Sequence, residues 1–253
     1  MSLKNKIISI ENLEKKFSNG NKILKNINLD IYESEFLIIA GENGSGKTVL
    51  MKHLNGLFKP TSGRIFFKDL EITGNEKFFR QKIGLVFQYS DAQIVGQTVI
   101  DDIKFGPENL GLPDDEIEKR VKSALLHTGL KNLASNTALT LSGGEKKRLG
   151  IAGVLAMDPD VIIFDEPFAG LDLHGVKTVL STIINLNKKG HTIILITHDL
   201  EKCMAHADRI VIMKKGEITK TGTPDSILDH LESNNIKKPF GTKRKAETMT
   251  WMK

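Results

Sequence analysis

No stretch of this 253-residue sequence is apolar for long enough to cross a bilayer, which takes about 20 helical residues. The longest apolar runs include residues 36–40, 161–164 and 193–196. Near the amino terminus, Ile7-Ile8-Ser9-Ile10 stops at Glu11, too soon for the apolar region of a signal peptide. The chain is therefore expected in the cytoplasm, meeting a membrane only through a partner, as a peripheral protein on its cytoplasmic face. Cysteine is almost missing. Cys203 stands alone, which excludes an internal disulfide and a cysteine metal cluster. Excess charge is missing from the body of the chain. Residues 237–253 hold six basic residues against one acidic residue, the whole of the +5 net charge. That balance excludes a basic nucleic-acid-binding face across the body, so no specific nucleic-acid partner is expected. Residues 236–253 read as a basic, flexible tail, with contact to anionic lipid or nucleic acid as the alternative. Sustained heptads and internal repeats are absent as well.

What remains is a globular composition, 40% hydrophobic and 26% charged, with material for a sizeable core. Ile27, Leu29 and Ile31 alternate with polar residues, the pattern of a half-buried strand. Phe36-Leu37-Ile38-Ile39-Ala40 is continuous, as in a strand buried on both faces. Residues 83–87, 161–164, 193–196 and 209–213 read the same way. Helices are predicted from Lys47 to about Leu57 and over 176–186, where Val176, Val179, Leu180 and Ile183 share a face. Residues 56–63, with Pro60, read as a loop. Between about 91 and 153 the buried runs vanish and helix signals take over. Asp114-Asp115-Glu116 makes an acidic first turn ahead of Ile117, Val121 and Leu125. These patterns predict an α/β fold with a mostly parallel sheet, a small antiparallel sheet and a helical insertion.

Gly41-Glu42-Asn43-Gly44-Ser45-Gly46-Lys47-Thr48 fits G-x-x-x-x-G-K-[ST] between a buried strand and a helix. Gly44 and Gly46 let the backbone turn its N–H groups toward phosphate oxygens. The helix starting near Lys47 adds its positive end. Lys47 would reach the β- and γ-phosphates, and Thr48 would ligate Mg²⁺. A second signal is Val161-Ile162-Ile163-Phe164-Asp165-Glu166, a buried strand ending in two carboxylates. The end of such a strand faces the same crevice as the loop. Asp165 would hold Mg²⁺, and Glu166 would accept a hydrogen bond from the attacking water as general base. Alone, such a pair is usually a solvated turn; beside a phosphate loop it reads as chemistry.

Leu141-Ser142-Gly143-Gly144-Glu145 opens another helix. Ser142 and Glu145 have capping-box spacing. Two glycines inside the box suit a second anion site as well. Here the chain resembles the ATP-binding cassette (ABC) ATPases, across nearly all of residues 1–230. The order matches: phosphate loop, Gln88, helical insertion, LSGGE, Asp165-Glu166, Asp172, then Thr197-His198-Asp199. The resemblance implies an ABC ATPase domain over 1–235. It has a RecA-like P-loop NTPase core and a helical subdomain at about 91–153. It also implies ATP with Mg²⁺ and a second ABC ATPase subunit, identical or paralogous, paired head to tail. ATP would lie between one copy's loop and the other's Ser142, Gly143, Gly144 and Glu145. Gln88 would sense Mg²⁺ and contact the transport partner. His198 would touch the γ-phosphate, and Asp172 would sit in the loop crossing between subunits. Phe17 stands where an aromatic stacks on adenine; a core or surface role competes at that position.

Phe105-Gly106-Pro107-Glu108-Asn109-Leu110-Gly111-Leu112 is similar to the energy-coupling factor (ECF) importers and their cobalt and nickel relatives. That implies an integral membrane subunit as partner, and uptake of a metal ion or vitamin. The apolar residues Ile94, Val99, Ile100, Ile103 and Phe105 read either as a docking groove for a transporter helix or as the subdomain's own core. A DNA-repair ATPase would carry a long coiled coil between Lys47 and Ser142, which stand only 95 positions apart.

Overall fold

The computed structural model describes residues 5–18, 20–237 and 250–252. In chain order, β1 (Lys6–Lys16) and β2 (Lys22–Tyr32) precede β3 (Phe36–Ala40) and α1 (Lys47–Leu54). β4 (Ser62–Phe67), β5 (Leu70–Glu71), α2 (Glu76–Lys82) and β6 (Ile83–Val86) follow. Three helices come next: α3 (Val99–Asn109), α4 (Asp114–Thr128) and α5 (Gly143–Ala156). Then β7 (Val161–Asp165), α6 (Leu173–Lys188) and β8 (Thr192–Ile196) resume the alternation. The last elements are β9 (Arg209–Lys214), β10 (Glu217–Gly222) and the short α7 (Pro224–Ile227).

The strands make two sheets. One runs β2-β1-β4-β5 and is antiparallel. The other runs β10-β9-β3-β8-β7-β6 and is parallel except for the β10–β9 pair. The expected α/β architecture with its small antiparallel sheet is therefore the one observed.

Period-2 alternation explains why β3 is apolar throughout. Phe36, Ile38 and Ala40 join the core that Val176, Val179, Leu180 and Ile183 of α6 complete. Leu37 and Ile39 point the other way, into a core shared with Leu50, Met51 and Leu54 of α1 and with β1 and β2. β7 and β8 do the same, and each is buried along its whole length. A third core belongs to the helical insertion, where Val99, Ile103, Ile117, Val121, Leu125, Leu149 and Ala152 pack together. Val99 and Ile103 are thus core residues, whereas Phe105 is 51% exposed.

Several boundaries differ from the sequence reading. α1 stops at Leu54, because the chain turns at Gly56 with φ of 71° and leaves Leu57 outside. β6 ends at Val86, one residue early. Most of the proposed basic tail, residues 236–253, lies outside the described residues. Of its described part, Ile236 is buried and Trp251 lies 4.8 Å from the Lys202 ammonium.

Leu149→Ala removes a fully buried side chain from the helical core. Urea unfolding is expected to show a loss of about 2–5 kcal/mol. A loss under about 1 kcal/mol would mean that this cluster does not hold the subdomain together.

Candidate active site

The register of the parallel strands decides which side chains meet. Val86 pairs with Phe164, Asp165 with Ile196, and Ile196 with Ile39. Strands β3, β6, β7 and β8 therefore end side by side, and the residues just beyond them share a crevice. A cavity of about 400 Å³ fills it. Its lining holds Phe17, Ile23, Asn43, Gly44, Gly46, Lys47, Thr48, Val49, Gln88, Asp165, Glu166 and His198.

The loop between β3 and α1 has the backbone that phosphate recognition needs. Gly46 is the N-cap of α1 at φ 104° and offers no side-chain acceptor, so no side chain caps the helix N-terminus. A Cβ on Gly41 would collide with the Met213 carbonyl, so only glycine lets the strand end pass there. Lys47 is buried, and its Nζ donates to the carbonyls of Gly41 at 2.7 Å and Glu42 at 2.9 Å. Burial lowers the pKa of this ammonium, against the pull of Glu166, Asp165 and Glu42. The Glu42 carboxylate points elsewhere and accepts from Asn235 Nδ2 at 3.0 Å. Gly41, Glu42 and Ser45 thus shape the loop from behind and do not line the cavity.

Across the cavity stand the acids. Asp165 ends β7 and is buried, and burial with the neighbouring Glu166 charge raises its pKa. Lys47 and Lys147 oppose that shift. Glu166 sits at φ 42°, a left-handed conformation unfavourable for a residue with a Cβ. Its carboxylate is held by three donors from the β8 end: Thr197 Oγ1 at 3.0 Å, His198 N at 3.1 Å and His198 Nδ1 at 2.7 Å. The last contact places the imidazole proton on Nδ1. Phe17 is 37% exposed, which takes it out of the core. Its ring meets Phe58 edge-on, and the Lys15 ammonium lies 5.5 Å from its centroid.

The remaining predicted residues gather in a separate cavity of about 380 Å³. Ser142, Gly143, Gly144, Glu145 and Asp172 line it, together with Arg148, Gly170, Leu171, His174 and Gly175. Ser142 and Glu145 do form a capping box: Glu145 N donates to Ser142 Oγ at 3.4 Å, and Ser142 N to Glu145 Oε2 at 2.8 Å. Asp172 caps α6, accepting from Gly175 N at 2.7 Å. In both places the capping role coexists with a position on the cavity wall. Two groups of phosphate-suited residues therefore stand on one chain and share no lining residue.

Residues 24–169 match the ABC transporter family pattern. The chain belongs to the ABC transporter family. As an ABC ATPase it hydrolyses ATP. It is 42% identical to the energy-coupling factor transporter ATP-binding protein EcfA of Methanocaldococcus jannaschii, over 90% of this chain and 82% of that one. It is 43% identical to EcfA1 of Caldanaerobacter subterraneus, over 89% and 84% of the two chains. Among solved structures, cbiO1 of Clostridium perfringens, part of the ABC transporter complex cbiONQ, superposes with a TM-score of 0.84. That match is 40% identical and covers 90% of this chain and 93% of the other. A bacterial ABC transporter cassette solved as a dimer gives 0.76 at 28% identity, over 86% and 99%.

Sequence reasoning about this ABC ATPase missed Ile23 beside Phe17, Arg148 and His174 in the second cavity, and Lys147. Lys147 is 2% exposed, and its Nζ donates to the carbonyls of Phe87 at 2.8 Å and Gln88 at 2.7 Å. Burial pushes this ammonium down to about 8. Its phase was the available signal: Lys147 stands four residues before the buried Ile151, on one helix face.

Lys47→Ala is expected to weaken ATP binding about tenfold to a hundredfold, the worth of a charge-assisted hydrogen bond. Titration calorimetry checks this, and unchanged affinity would contradict the loop assignment.

Proposed function

We propose that this protein is the ATP-hydrolysing motor of an ECF-type importer that takes up a metal ion or vitamin. Two cassettes close head to tail on ATP, either identical copies or paralogues. The observation that carries this reading is the split between the two cavities. The first surrounds a triphosphate from one side, with Lys47 and the α1 N-terminus. The second presents the glycines and the helix N-terminus of residues 142–145 to the other side, from a neighbouring subunit. Asp172 stands beside that second surface.

Each residue has a chemical task in this reading. Phe17 offers a π-face to adenine, with Ile23 at its side. Gly41, Glu42, Asn43, Gly44, Ser45 and Gly46 form the loop whose amides bind phosphate oxygens. Lys47 exchanges its carbonyl partners for phosphate. Glu166 accepts the proton of the attacking water. Thr197 and His198 fix its carboxylate, and the His198 ring, 60% exposed, borders the γ-phosphate. Among the described residues no group of three His, Cys, Asp or Glu converges on a metal. One hydroxyl, one amide and one carboxylate, from Thr48, Gln88 and Asp165, suit Mg²⁺, a hard ion that keeps substrate and water oxygens. When bound it would neutralise charge on the phosphate oxygens. The raised pKa of Asp165 fits that donor set, since a carboxyl that buries its charge at a cost gains from an added cation.

The membrane subunit docks on a groove of about 590 Å³ between α2, β6 and the helical insertion. Val95 is 59% and Phe105 51% exposed at its edge, and Leu110 and Met157 line it. Among the described residues no helix is long and apolar enough to cross a membrane. In this reading, which the energy-coupling factor relatives support, the motor sits on the cytoplasmic face and drives a separate integral membrane protein.

Glu166→Gln keeps the size of the side chain and removes the base. Hydrolysis is expected to fall by about 10² to 10⁴, the usual worth of a general base. Sedimentation with ATP is expected to show a trapped dimer. Hydrolysis at the wild-type rate would take Glu166 out of the base role, and a monomer at every ATP concentration would sink the head-to-tail reading.

A further inference from the structure

Three separate ties hold the segment after β6 onto helix α5. Lys147 donates to the Phe87 and Gln88 carbonyls. Lys146 pairs with Asp91 at 2.7 Å. Gln93 accepts from Phe87 N at 3.0 Å, and its Nε2 donates to the carbonyls of Leu85 and Gly150, both at 3.3 Å. Gly150 makes room for that amide, since a Cβ there would stand 3.1 Å from Gln93 Oε1.

The Lys147 tie is chemically costly. A buried ammonium is expensive unless paired or well hydrogen-bonded. Among the described residues Lys147 makes no ion pair, and its hydrogen-bond partners are two successive backbone carbonyls. A methionine of similar length would fill the same space without that cost. What the lysine adds is direction. Two neighbouring carbonyls aimed at one Nζ fix the backbone of residues 87–88, and with it the entry of the Gln88 side chain into the first cavity. The same helix carries Ser142, Gly143, Gly144 and Glu145 at its start, beside the second cavity.

We propose that Lys147 is a positioning residue that makes the Gln88 loop and the 142–145 segment one mechanical unit, so that nucleotide in one cavity aims the surface that completes the other. The proposal rests on the reading that the two cavities are halves of sites shared between two cassettes. A shift of Gln88 toward the γ-phosphate pulls α5 through Lys147 and turns residues 142–145 toward the partner's nucleotide. By linkage, closure on the partner's nucleotide strengthens the hold on the chain's own. Asp91 is exposed and Lys146 half-buried, and their solvent-screened pair adds a weaker tie.

The test compares the wild type with Lys147→Met and Lys147→Arg, each also in the Glu166→Gln background. Affinity for a fluorescent ATP analogue in the monomer, melting temperature, ATP-driven dimerisation by sedimentation and the Hill coefficient of hydrolysis are measured together. Lys147→Met is expected to keep wild-type monomer affinity. Its dimerisation is expected to weaken about tenfold to a hundredfold, as for loss of a charge-assisted hydrogen bond. Its Hill coefficient is expected to fall toward one. Lys147→Arg, which restores the donors, is expected to recover both. A methionine variant that dimerises and cooperates like the wild type overturns the proposal, and so does an arginine variant as impaired as methionine. If methionine does not fold, Lys147→Leu replaces it: an apolar side chain with no donor, expected to show the same loss at wild-type monomer affinity. Wild-type dimerisation by that variant also overturns the proposal. Failure of the parent Glu166→Gln protein to dimerise at all would instead remove the shared-site reading beneath it.

Discussion

Four parallel strands end on one line, and the active site hangs from that line. The pairings Val86 with Phe164, Asp165 with Ile196 and Ile196 with Ile39 set the common edge. A slip of one residue in any of them would exchange the side chains that a strand sends to the two cores. Both faces of β3, β7 and β8 are buried, so the register is strongly fixed. The loop at 41–48, the acids at 165–166 and the histidine at 198 inherit their positions from packing far below them.

On that frame the charges are arranged at a cost. Lys47, Asp165 and Lys147 are all buried, and burial is the largest influence on each. Lys47 and Lys147 point into backbone carbonyls, an arrangement that satisfies donors without cancelling charge. The first cavity is thus electrostatically unfinished. In the function proposed above, a triphosphate with its cation supplies the groups of both signs that Lys47 and Asp165 lack.

Much of this was legible in the residues. Continuous apolar runs marked β3, β7, β8 and β9, because strands covered on both faces need no polar side. Residues 41–48 and 141–145 carried their chemistry in glycine spacing. The elements that escaped are those whose patterns are broken. β1 pairs with β2 through several register shifts, and Asn12 within it has φ of 48°, so its alternation is scrambled. β10 is a mostly exposed edge strand, polar along its length. α2 sets Phe78 beside Phe79, one exposed and one buried, without a helical stripe. Lys147 hid in the run Glu145-Lys146-Lys147-Arg148, which reads as a solvated face. Composition cannot tell which lysine of such a run turns inward. Only the helical phase against Ile151 distinguishes it.

Glu166 stands in a backbone conformation that glycine or asparagine would occupy more easily. With Glu166 as the base proposed above, thermal stability and chemistry pull in opposite directions at this one position. A chain chosen only for resistance to heat would drift away from glutamate there and fall silent, while its core, its sheets and both cavities stayed intact.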